Sequence, residues 1–318
     1  MSHQTHHPRR VAVVGAGNVG ASFAYGLLLS GLASEIVLID ANHAKAEGEA
    51  MDLNHAVPLA HPTRVFAGSY ADCAGAAVTV ITAGSAQRPG ETRLDLVQRN
   101  AQIFQQIIPQ VVAANPNGLL LIATNPVDVL SYAAWKFSGL PSQRVIGSGT
   151  ILDTARFRYL LSQRFDVDPR SVHAFIIGEH GDSEVPVWSL ANIAGMRLPV
   201  YCSSNGFECG LDTLDEIFAQ TRDAAYHIIE RKGATYYAIA TGLVRIVEAI
   251  LRDQGSVLSV SSLQDDTYGV GDVYFSLPTV LDAAGVNHVI RLDLAEDEIA
   301  GLQRSARILR QTIESLKL

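Results

Sequence analysis

Length, composition and charge limit what this chain can be. Its 318 residues, 48% hydrophobic and 18% charged, suffice for one large or two medium domains with a substantial core. A net charge of −8 argues against a protein that binds nucleic acid through a basic face, so we expect no nucleic-acid partner.

The first stretch of the chain has the length of a membrane span. Residues 11–34 carry no charge and follow Arg9 and Arg10, as in a transmembrane helix or an export signal. The stretch also contains five glycines, and their order is better explained by a nucleotide-binding turn. We therefore expect no association with a membrane.

The first half alternates apolar strands with helices. The strands are short, apolar and rich in β-branched residues, which is typical of strands buried in a parallel sheet. Strands are predicted at 11–14, 35–39, 78–83 and 119–123, and helices at 21–32, 44–54 and 94–112. This alternation predicts an α/β fold, a Rossmann domain with a doubly wound parallel sheet, over residues 9–147.

The second half combines long helices with more antiparallel strands. Helices are predicted at 151–165, 211–231, 236–252 and 295–316, and strands at 172–177, 257–260 and 273–280. No low-complexity linker separates the halves, so we expect a tight interface between them. The pattern predicts an α+β domain for substrate binding, catalysis and oligomerisation over residues 148–318.

The cysteines indicate the redox environment. Cys73, Cys202 and Cys209 are odd in number and lack the close spacing of a zinc site or redox motif. We expect three free thiols in a reducing compartment, a cytoplasmic location and no bound metal. A disulfide between Cys202 and Cys209 is the alternative.

A glycine-rich turn follows the first predicted strand. Gly15, Gly17 and Gly20 form a G-x-G-x-x-G that opens a helix, and Asp40 ends the next strand. Such a helix N-terminus offers free N–H groups to the phosphates of a dinucleotide. A carboxylate at Asp40 suits ribose hydroxyls and repels a 2′-phosphate, so NAD is predicted rather than NADP. A turn that binds FAD or no ligand is the alternative. The predicted cofactor contacts are Gly15, Gly17, Asn18, Val19, Gly20, Asp40, Thr82, Ala83, Gly84 and Asn125.

Polar segments further along the chain predict acid–base chemistry. His180 lies between glycines after strand 172–177, where α/β proteins place catalytic groups. Histidine titrates near neutral pH and can accept the proton that is released when an alcohol is oxidised. Asp153 and Arg156 are three residues apart and share one face of a helix. Residues 87–93, polar and containing Gly and Pro, are predicted to form a lid. A structural histidine and a surface ion pair are the alternative.

Five motifs together resemble the lactate/malate dehydrogenase family. They are, in chain order, G-A-G-N-V-G from Gly15, Q-R-P-G-E-T-R from Gln87, T-N-P-V-D from Thr124, L-D-T-A-R from Leu152 and G-E-H-G-D from Gly178. Their order and approximate spacing match the family from about residue 11 to the C-terminus. The resemblance implies hydride transfer between NAD and a 2-hydroxy acid.

The resemblance also implies catalytic roles. His180 would be the general acid and base, and Asp153 would bond its other ring nitrogen and fix the tautomer. Arg156 would clamp the substrate carboxylate through its two-pronged guanidinium. Arg93 would move in with the lid and polarise the reacting carbonyl.

Residues around the rest of the substrate predict which 2-hydroxy acid is used. Gln87 stands where malate dehydrogenases carry Arg, so the second carboxylate of oxaloacetate would be unpaired and pyruvate and L-lactate are favoured. Asn125 would donate to the reacting oxygen, and Thr235 would line the wall near the methyl group. Arg88, next to Gln87, leaves a malate dehydrogenase open. A branched-chain 2-hydroxyacid dehydrogenase and a catalytically silent NAD-binding protein are further alternatives.

A second site is implied on the other side of the Arg156 helix. Arg158 and His173 match the positions at which bacterial members of the family bind fructose 1,6-bisphosphate across a two-fold subunit interface. Symmetry would bring two copies of each residue together, and a bisphosphate would relieve their repulsion. The resemblance therefore implies an allosteric homo-oligomer, a tetramer, that works in the last step of lactate fermentation from glycolysis. A surface Arg and a strand-end His are the alternative.

Overall fold

Parallel strands form the first part of the main sheet. The computed structural model describes residues 9–85, 90 and 92–316, and only the main chain of Arg93. The parallel strands are β1 (Arg10–Val14), β2 (Glu35–Ile39), β3 (Arg64–Ala67), β4 (Ala76–Ile81), β5 (Leu119–Ile122) and β6 (Val145–Gly147). They lie in the order β3-β2-β1-β4-β5-β6. This is the Rossmann strand order, so the predicted fold class is confirmed.

Helices cover both faces of these strands. They are α1 (Asn18–Ser30), α2 (His43–Ala56), α3 (Arg93–Ala114) and α4 (Val127–Ser138). Helix α1 begins three residues before the predicted start, because the N–H of Ala21 already donates to the carbonyl of Gly17 at 2.8 Å. Strands β3 and β6 were not predicted. The first is a partly exposed edge strand and the second has only three residues, so neither gives a clear apolar run.

The second half begins with a helix and short strands. They are α5 (Ile151–Phe165), β7 (Val172–His173), β8 (Ile176–Ile177), β9 (Val185–Pro186), β10 (Asn192–Ile193) and β11 (Met196–Arg197). The single strand predicted at 172–177 is wrong in one respect. It divides into β7 and β8, because β7 pairs with β10 while β8 pairs with β9 in a separate sheet.

The rest of the chain completes the main sheet and its cover. It contains α6 (Leu198–Asn205), α7 (Leu211–Lys232), α8 (Tyr237–Leu251), β12 (Ser256–Gln264), β13 (Val273–Asp282), β14 (Gly285–Val289) and α9 (Glu296–Ser315). Strand β12 pairs with β6 and continues the sheet with antiparallel β13 and β14. It is longer than predicted, because its buried serines at 259, 261 and 262 conceal the apolar pattern of an interior strand.

The core packs on both faces of the sheet and behind α5. Val11 and Val13 of β1 belong to one cluster, with buried residues of α1 and α8, while Ala12 and Val14 belong to another with residues of α3, α4 and α9. A further cluster gathers around Phe157 on α5, with residues of β7, β8 and α6. The apolar side of α5 is thus fixed in place, which also fixes the polar side chains on the rest of the helix.

The cysteine prediction is wrong for two of the three residues. Cys202 on α6 forms a disulfide with Cys209, and only Cys73 is a free, buried thiol among the described residues. The chain reverses after α6 at Gly206, whose φ of +73° is easily adopted only by glycine, and this turn brings the two Cα atoms to 6.2 Å. A spacing of seven residues does not reveal such a turn, so the alternative interpretation is the correct one.

Two expected absences concern membranes and metals. Among the helices of the described residues, none is long and apolar enough to cross a bilayer. The same part of the chain contains no group of three or more His, Cys, Asp or Glu side chains arranged to hold a metal ion.

Candidate active site

The glycine-rich turn between β1 and α1 has the shape that its glycines require. Gly15 has a φ of +108°, and a Cβ added to Gly20 would overlap the main-chain oxygen of Gly15. A Cβ added to Gly17 would meet no atom within 4 Å in the described part of the chain. Gly17 also precedes α1 without a side-chain cap from any described residue. Open space beside uncapped N–H groups fits a phosphate of NAD.

Asp40 joins the second strand to this turn. The main-chain N–H of Ala16 donates to its Oδ2 at 2.7 Å, and that of Asn42 donates to its Oδ1 at 2.9 Å. A carboxylate oxygen accepts two hydrogen bonds, so each oxygen keeps a position for a ribose hydroxyl. Thr82 closes the other side of the turn by donating from Oγ1 to the carbonyl of Gly15 at 2.7 Å.

The remaining cofactor candidates follow strands β4 and β5. The N–H of Ala83 donates to the carbonyl of Val14 at 2.8 Å, which places residues 82–84 beside the turn. Asn125 follows β5 and is exposed. Its main-chain carbonyl accepts a hydrogen bond from Asn100 Nδ2 at 3.0 Å. The bond between Asn125 and Pro126 is a cis peptide. The predicted cofactor residues therefore line the carboxyl ends of adjacent parallel strands, where such folds bind nucleotides.

His180 and Asp153 form a close pair. His180 lies in the loop after β8, and Asp153 lies in the first turn of α5. Nδ1 of His180 is 2.5 Å from Oδ2 of Asp153. The His180 side chain is 24% exposed and therefore opens outwards, whereas the Asp153 side chain is buried. The other ring nitrogen of His180, Nε2, has no hydrogen-bond partner among the described residues and can act on a ligand.

The pair raises the proton affinity of the imidazole. Burial acts to lower the pKa of His180, but the charge of Asp153 and its hydrogen bond outweigh burial, with smaller contributions from Asp128 and Glu184, and raise the pKa to about 9. Burial also opposes ionisation of Asp153, but His180 and Arg156 hold the pKa of this carboxyl below its usual range. At neutral pH the pair is therefore an imidazolium beside a carboxylate.

Arg156 lies one turn further along α5. Its Nη1 donates to Oδ1 of Asp153 at 2.8 Å, so the two oxygens of Asp153 serve two different cations. Both charged side chains line a cavity of about 510 Å³. The guanidinium has other N–H groups left for a planar anion such as a carboxylate.

The cavity lies between the two halves of the chain. Its predicted residues are Asn125, Asp153, Arg156 and His180, and apolar walls come from α3, α4 and α9. Thr235 does not belong to the described residues that line it; it is half-buried between α7 and α8. Gln87 and Arg88 lie outside the described residues, as does the side chain of Arg93, whose main chain begins α3 at the edge of the cavity.

Sequence reasoning missed polar groups in and beneath the cavity. Glu184 is only 6% exposed, and its Oε1 has no hydrogen-bond partner among the described residues. Burial and the charge of Asp153 raise its pKa to about 9. Asp128, the last residue of the T-N-P-V-D motif, lies beneath the cavity, and Arg222 reaches it from α7. Glu184 lies in the same loop as His180, four residues further along the chain. Nothing in the sequence around it predicts that it is buried.

Arg158 and His173 are neighbours on the other side of α5. Arg158 Nε donates to the carbonyl of Ala174 at 2.9 Å, and its guanidinium lies 5.2 Å from the centre of the Phe175 ring. Burial lowers the pKa of Arg158. His173, the residue before Ala174, is exposed on β7. The two candidate effector residues are thus close together and apart from the cavity.

Known proteins resemble this chain over nearly its whole length. Residues 9–147 match the lactate/malate dehydrogenase NAD binding domain, and residues 150–317 match the alpha/beta C-terminal domain of the same family. An L-lactate dehydrogenase of Priestia megaterium is 55% identical over 304 residues, which cover 96% of this chain and 95% of the relative. L-lactate dehydrogenase 1 of Clostridium acetobutylicum is 50% identical over 96% of this chain and 98% of its own.

Solved structures give the same result. A lactate dehydrogenase from a Medee basin deep-sea metagenome library superposes with a TM-score of 0.95 at 46% identity, covering 98% of this chain and 99% of that one. The minor L-lactate dehydrogenase of Enterococcus mundtii, in a ligand-bound form, has a TM-score of 0.95 at 42% identity with the same coverage. This chain belongs to the lactate/malate dehydrogenase family, and the predictions of an oxidoreductase and of NAD as its cofactor are confirmed.

Proposed function

We propose that this member of the family is an NAD-dependent L-lactate dehydrogenase, which reduces pyruvate to L-lactate and catalyses the reverse reaction. The observation that carries the proposal is the paired Asp153 and His180 beside Arg156 in one cavity. A proton donor and a carboxylate-binding cation are what a 2-keto acid requires. The relatives named above, all described as lactate dehydrogenases, support pyruvate as the substrate.

Arg156 binds the substrate carboxylate in this proposal. Its Nη1 is held by Asp153, which fixes the plane of the guanidinium before a ligand arrives. A planar guanidinium can form two parallel hydrogen bonds with a carboxylate, and a buried site strengthens them. Because orientation is set in advance, little entropy is lost on binding.

His180 supplies the proton for reduction and accepts it for oxidation. With Nδ1 hydrogen-bonded to Asp153, the mobile proton is the one on Nε2, which the ring presents to the keto oxygen. The raised pKa of His180, about 9, keeps this proton in place at neutral pH. NADH, when bound, supplies the hydride.

Other residues complete the site. Arg93, at the start of α3, polarises the keto oxygen when the lid of residues 87–93 closes, and Asn125 donates to the same oxygen. The family resemblance assigns Gln87 to the methyl group of pyruvate. It also assigns Thr235 to the far wall, although Thr235 does not line the cavity formed by the described residues. The motif resemblance supports these roles, together with the position of α3 beside the cavity.

The cofactor is held by the glycine-rich turn. Gly17 leaves space for the pyrophosphate, and Asn18 and Val19 begin the helix whose N–H groups face it. Asp40 accepts from the ribose hydroxyls, and residues 82–84 flank the nicotinamide side. The open Gly17 and the unused acceptor positions of Asp40 support this assignment.

Assembly, regulation and location form a second part of the proposal. We infer that Arg158 and His173 bind fructose 1,6-bisphosphate across a two-fold axis of a homotetramer. We also infer a cytoplasmic enzyme of lactate fermentation whose domains divide near residue 147. Because Cys202 and Cys209 form a disulfide, this location is inferred from the family resemblance and not from free thiols. The proximity of Arg158 to the main chain beside His173 supports a shared anion site. Because Arg158 shares α5 with Arg156, an effector there has a direct route to the substrate clamp.

The test is kcat/KM for pyruvate and for oxaloacetate with NADH, each with and without fructose 1,6-bisphosphate. We expect pyruvate to be preferred by at least about a hundredfold, because an unpaired carboxylate in a closed site costs several kcal/mol. A lower pyruvate KM with the effector supports the Arg158–His173 site, and no change in KM or oligomeric state removes it.

A matched pair of variants identifies the residue that selects the substrate. Gln87→Arg should raise kcat/KM for oxaloacetate and lower it for pyruvate, while Arg88→Gln should leave the preference unchanged. A wild-type preference for oxaloacetate that Arg88→Gln abolishes would assign selection to Arg88 and make the protein a malate dehydrogenase. Turnover of neither acid by the wild type would leave a bulkier 2-keto acid or a silent binder.

A further inference from the structure

Asp128 is a buried carboxyl to which the mechanism above gives no part. It lies in the first turn of α4 and is only 1% exposed. An ionised carboxylate at such depth is costly unless it is paired, so its partners show what holds it. The N-terminus of α4 favours a negative charge in this turn and offsets part of the cost.

The one strong partner of Asp128 within the described residues is the main chain of the candidate catalytic residue. Oδ2 of Asp128 accepts a hydrogen bond from the N–H of His180 at 2.7 Å. The other oxygen, Oδ1, faces Ser261 on β12, but neither Oδ1 nor the Ser261 hydroxyl makes a hydrogen bond of good geometry with any described residue. The contact with His180 joins a helix of the NAD-binding half to the catalytic loop of the other half.

We propose that Asp128 is a positioning residue for His180: its carboxylate fixes the main chain of the histidine, and its negative charge stabilises the protonated imidazole. The inference rests on the proposed role of His180 as acid and base. Asp153 acts on the ring directly through Nδ1, whereas Asp128 acts from the main-chain side. The imidazolium thus has a carboxylate partner on α4 as well as on α5.

The charge of Asp128 is present in the pH range that matters. Burial raises the pKa of Asp128 to about 7, while the nearby Ser261 hydroxyl, the hydrogen bond from the His180 N–H and the charge of His180 act against it. Above that pH the carboxyl is an anion, and His180 loses its proton only near pH 9. The other titratable or charged groups beside His180 among the described side chains are Asp153, Arg156, Glu179, Asp182, Arg222 and Glu184, the last of which is neutral below about pH 9. Within the described residues, the side-chain acceptor for the His180 N–H is Asp128, which therefore combines charge with anchoring of the main chain.

Two substitutions separate the charge from the anchor. Asp128→Asn keeps an oxygen that accepts from the His180 N–H but removes the charge, whereas Asp128→Ala removes both. The matched control is Asp297→Asn, an exposed aspartate in the first turn of α9. The assay is kcat/KM for pyruvate reduction from pH 5.5 to 10, with His180→Asn measured alongside.

We expect Asp128→Asn to move the alkaline midpoint down by at least about half a pH unit, because a nearby negative charge favours the imidazolium. Asp128→Ala should show the same shift and, in addition, a plateau at pH 6 at least about fivefold below that of Asp128→Asn, because the His180 main chain loses its acceptor. The Asp297→Asn profile should superimpose on that of the wild type.

Each of the other possible results refutes one part of the proposal. An unshifted Asp128→Asn midpoint refutes the role of the charge, and equal plateaus for Asp128→Asn and Asp128→Ala refute the anchor. If Asp128→Ala does not fold, the midpoint of Asp128→Asn still decides whether the charge of Asp128 acts on His180. Full activity of His180→Asn would instead refute the proposed role of His180, and wild-type inactivity on pyruvate would refute the proposed function.

Discussion

Asp153→Asn tests most directly how the site keeps His180 protonated. The wild-type carboxylate is buried and lies 2.5 Å from Nδ1 of His180. The substituted amide has the same shape but no charge, and it can present its NH₂ group and so favour the wrong tautomer. The substitution therefore removes the main group that raises the pKa of His180.

The size of the effect follows from the two pKa values. His180 has a pKa of about 9 in the folded protein, against an ordinary value of 6.5. The difference between these two pKa values corresponds to about 3 kcal/mol of preference for the protonated ring. Without Asp153 the pKa of His180 should fall to about 6.5, so at pH 7.5 the protonated fraction drops roughly tenfold, from nearly all to about a tenth. At pH 5.5 both forms remain about 90% protonated or more.

The assay is kcat/KM for pyruvate reduction between pH 5.5 and 9.5 at constant ionic strength. We expect the loss in Asp153→Asn to be roughly ten times larger at pH 7.5 than at pH 5.5, because only the higher pH lies above the new pKa. Asp297→Asn, on the exposed surface, serves as the control. A loss by the same factor at every pH would refute the reasoning, since it would mean that Asp153 orients the ring without changing its charge.

Three further predictions concern burial and the cofactor turn. Glu184 stays protonated in the folded state up to about pH 9 and ionises near pH 4.5 in the unfolded state, so burying it costs more stability as the pH rises between those values. Glu184→Gln should therefore have a melting temperature several degrees above that of the wild type at pH 8.5 and nearly the same as that of the wild type at pH 5. A difference in melting temperature that does not depend on pH would contradict this. Gly20→Ala should lower the melting temperature of the protein without ligand, because the added Cβ collides with the turn. Gly17→Ala should leave that melting temperature unchanged but weaken NADH binding, measured by fluorescence. Equal melting temperatures for Gly20→Ala and the wild type would contradict the clash. Asp40→Ser should lower the preference for NADH over NADPH by at least about tenfold in kcat/KM, because the repelled 2′-phosphate is then accepted, and an unchanged ratio would remove Asp40 from cofactor selection.

Features set by neighbouring residues could be predicted from the sequence. The strand–turn–helix of the glycine motif and the helix carrying Asp153 and Arg156 lie where their residue patterns indicate. Apolar runs and glycines act over a few residues, so one segment contains the whole signal. No local residue pattern predicts the contact between Asp153 and His180, which are 27 residues apart. That contact was expected only from the family resemblance.

Features set by distant partners could not be predicted. Strand β12 is buried although it is rich in serine, because β6 and β13 pair with it on both sides. The disulfide of Cys202 depends on a turn after α6, and the burial of Glu184 depends on elements packed over its loop. In each case the residue type alone indicates exposure or a free thiol, and tertiary packing reverses that indication.

The loop that carries His180 shows why a short motif does not place a catalytic group by itself. The N–H of Gly178 donates to the carbonyl of Ser276 on β13 at 2.9 Å, and the next N–H, of Glu179, donates to Oγ of Ser305 on α9 at 2.7 Å. The third, of His180, donates to Asp128 on α4 at 2.7 Å. Consecutive main-chain donors are thus held by three separate elements, one of them from the other half of the chain. Loss of one anchor leaves the other two in place, so the loop should keep its fold after a single substitution while the His180 ring loses its alignment. Such a substitution should therefore lower the catalytic rate of the protein before it lowers the stability of the fold.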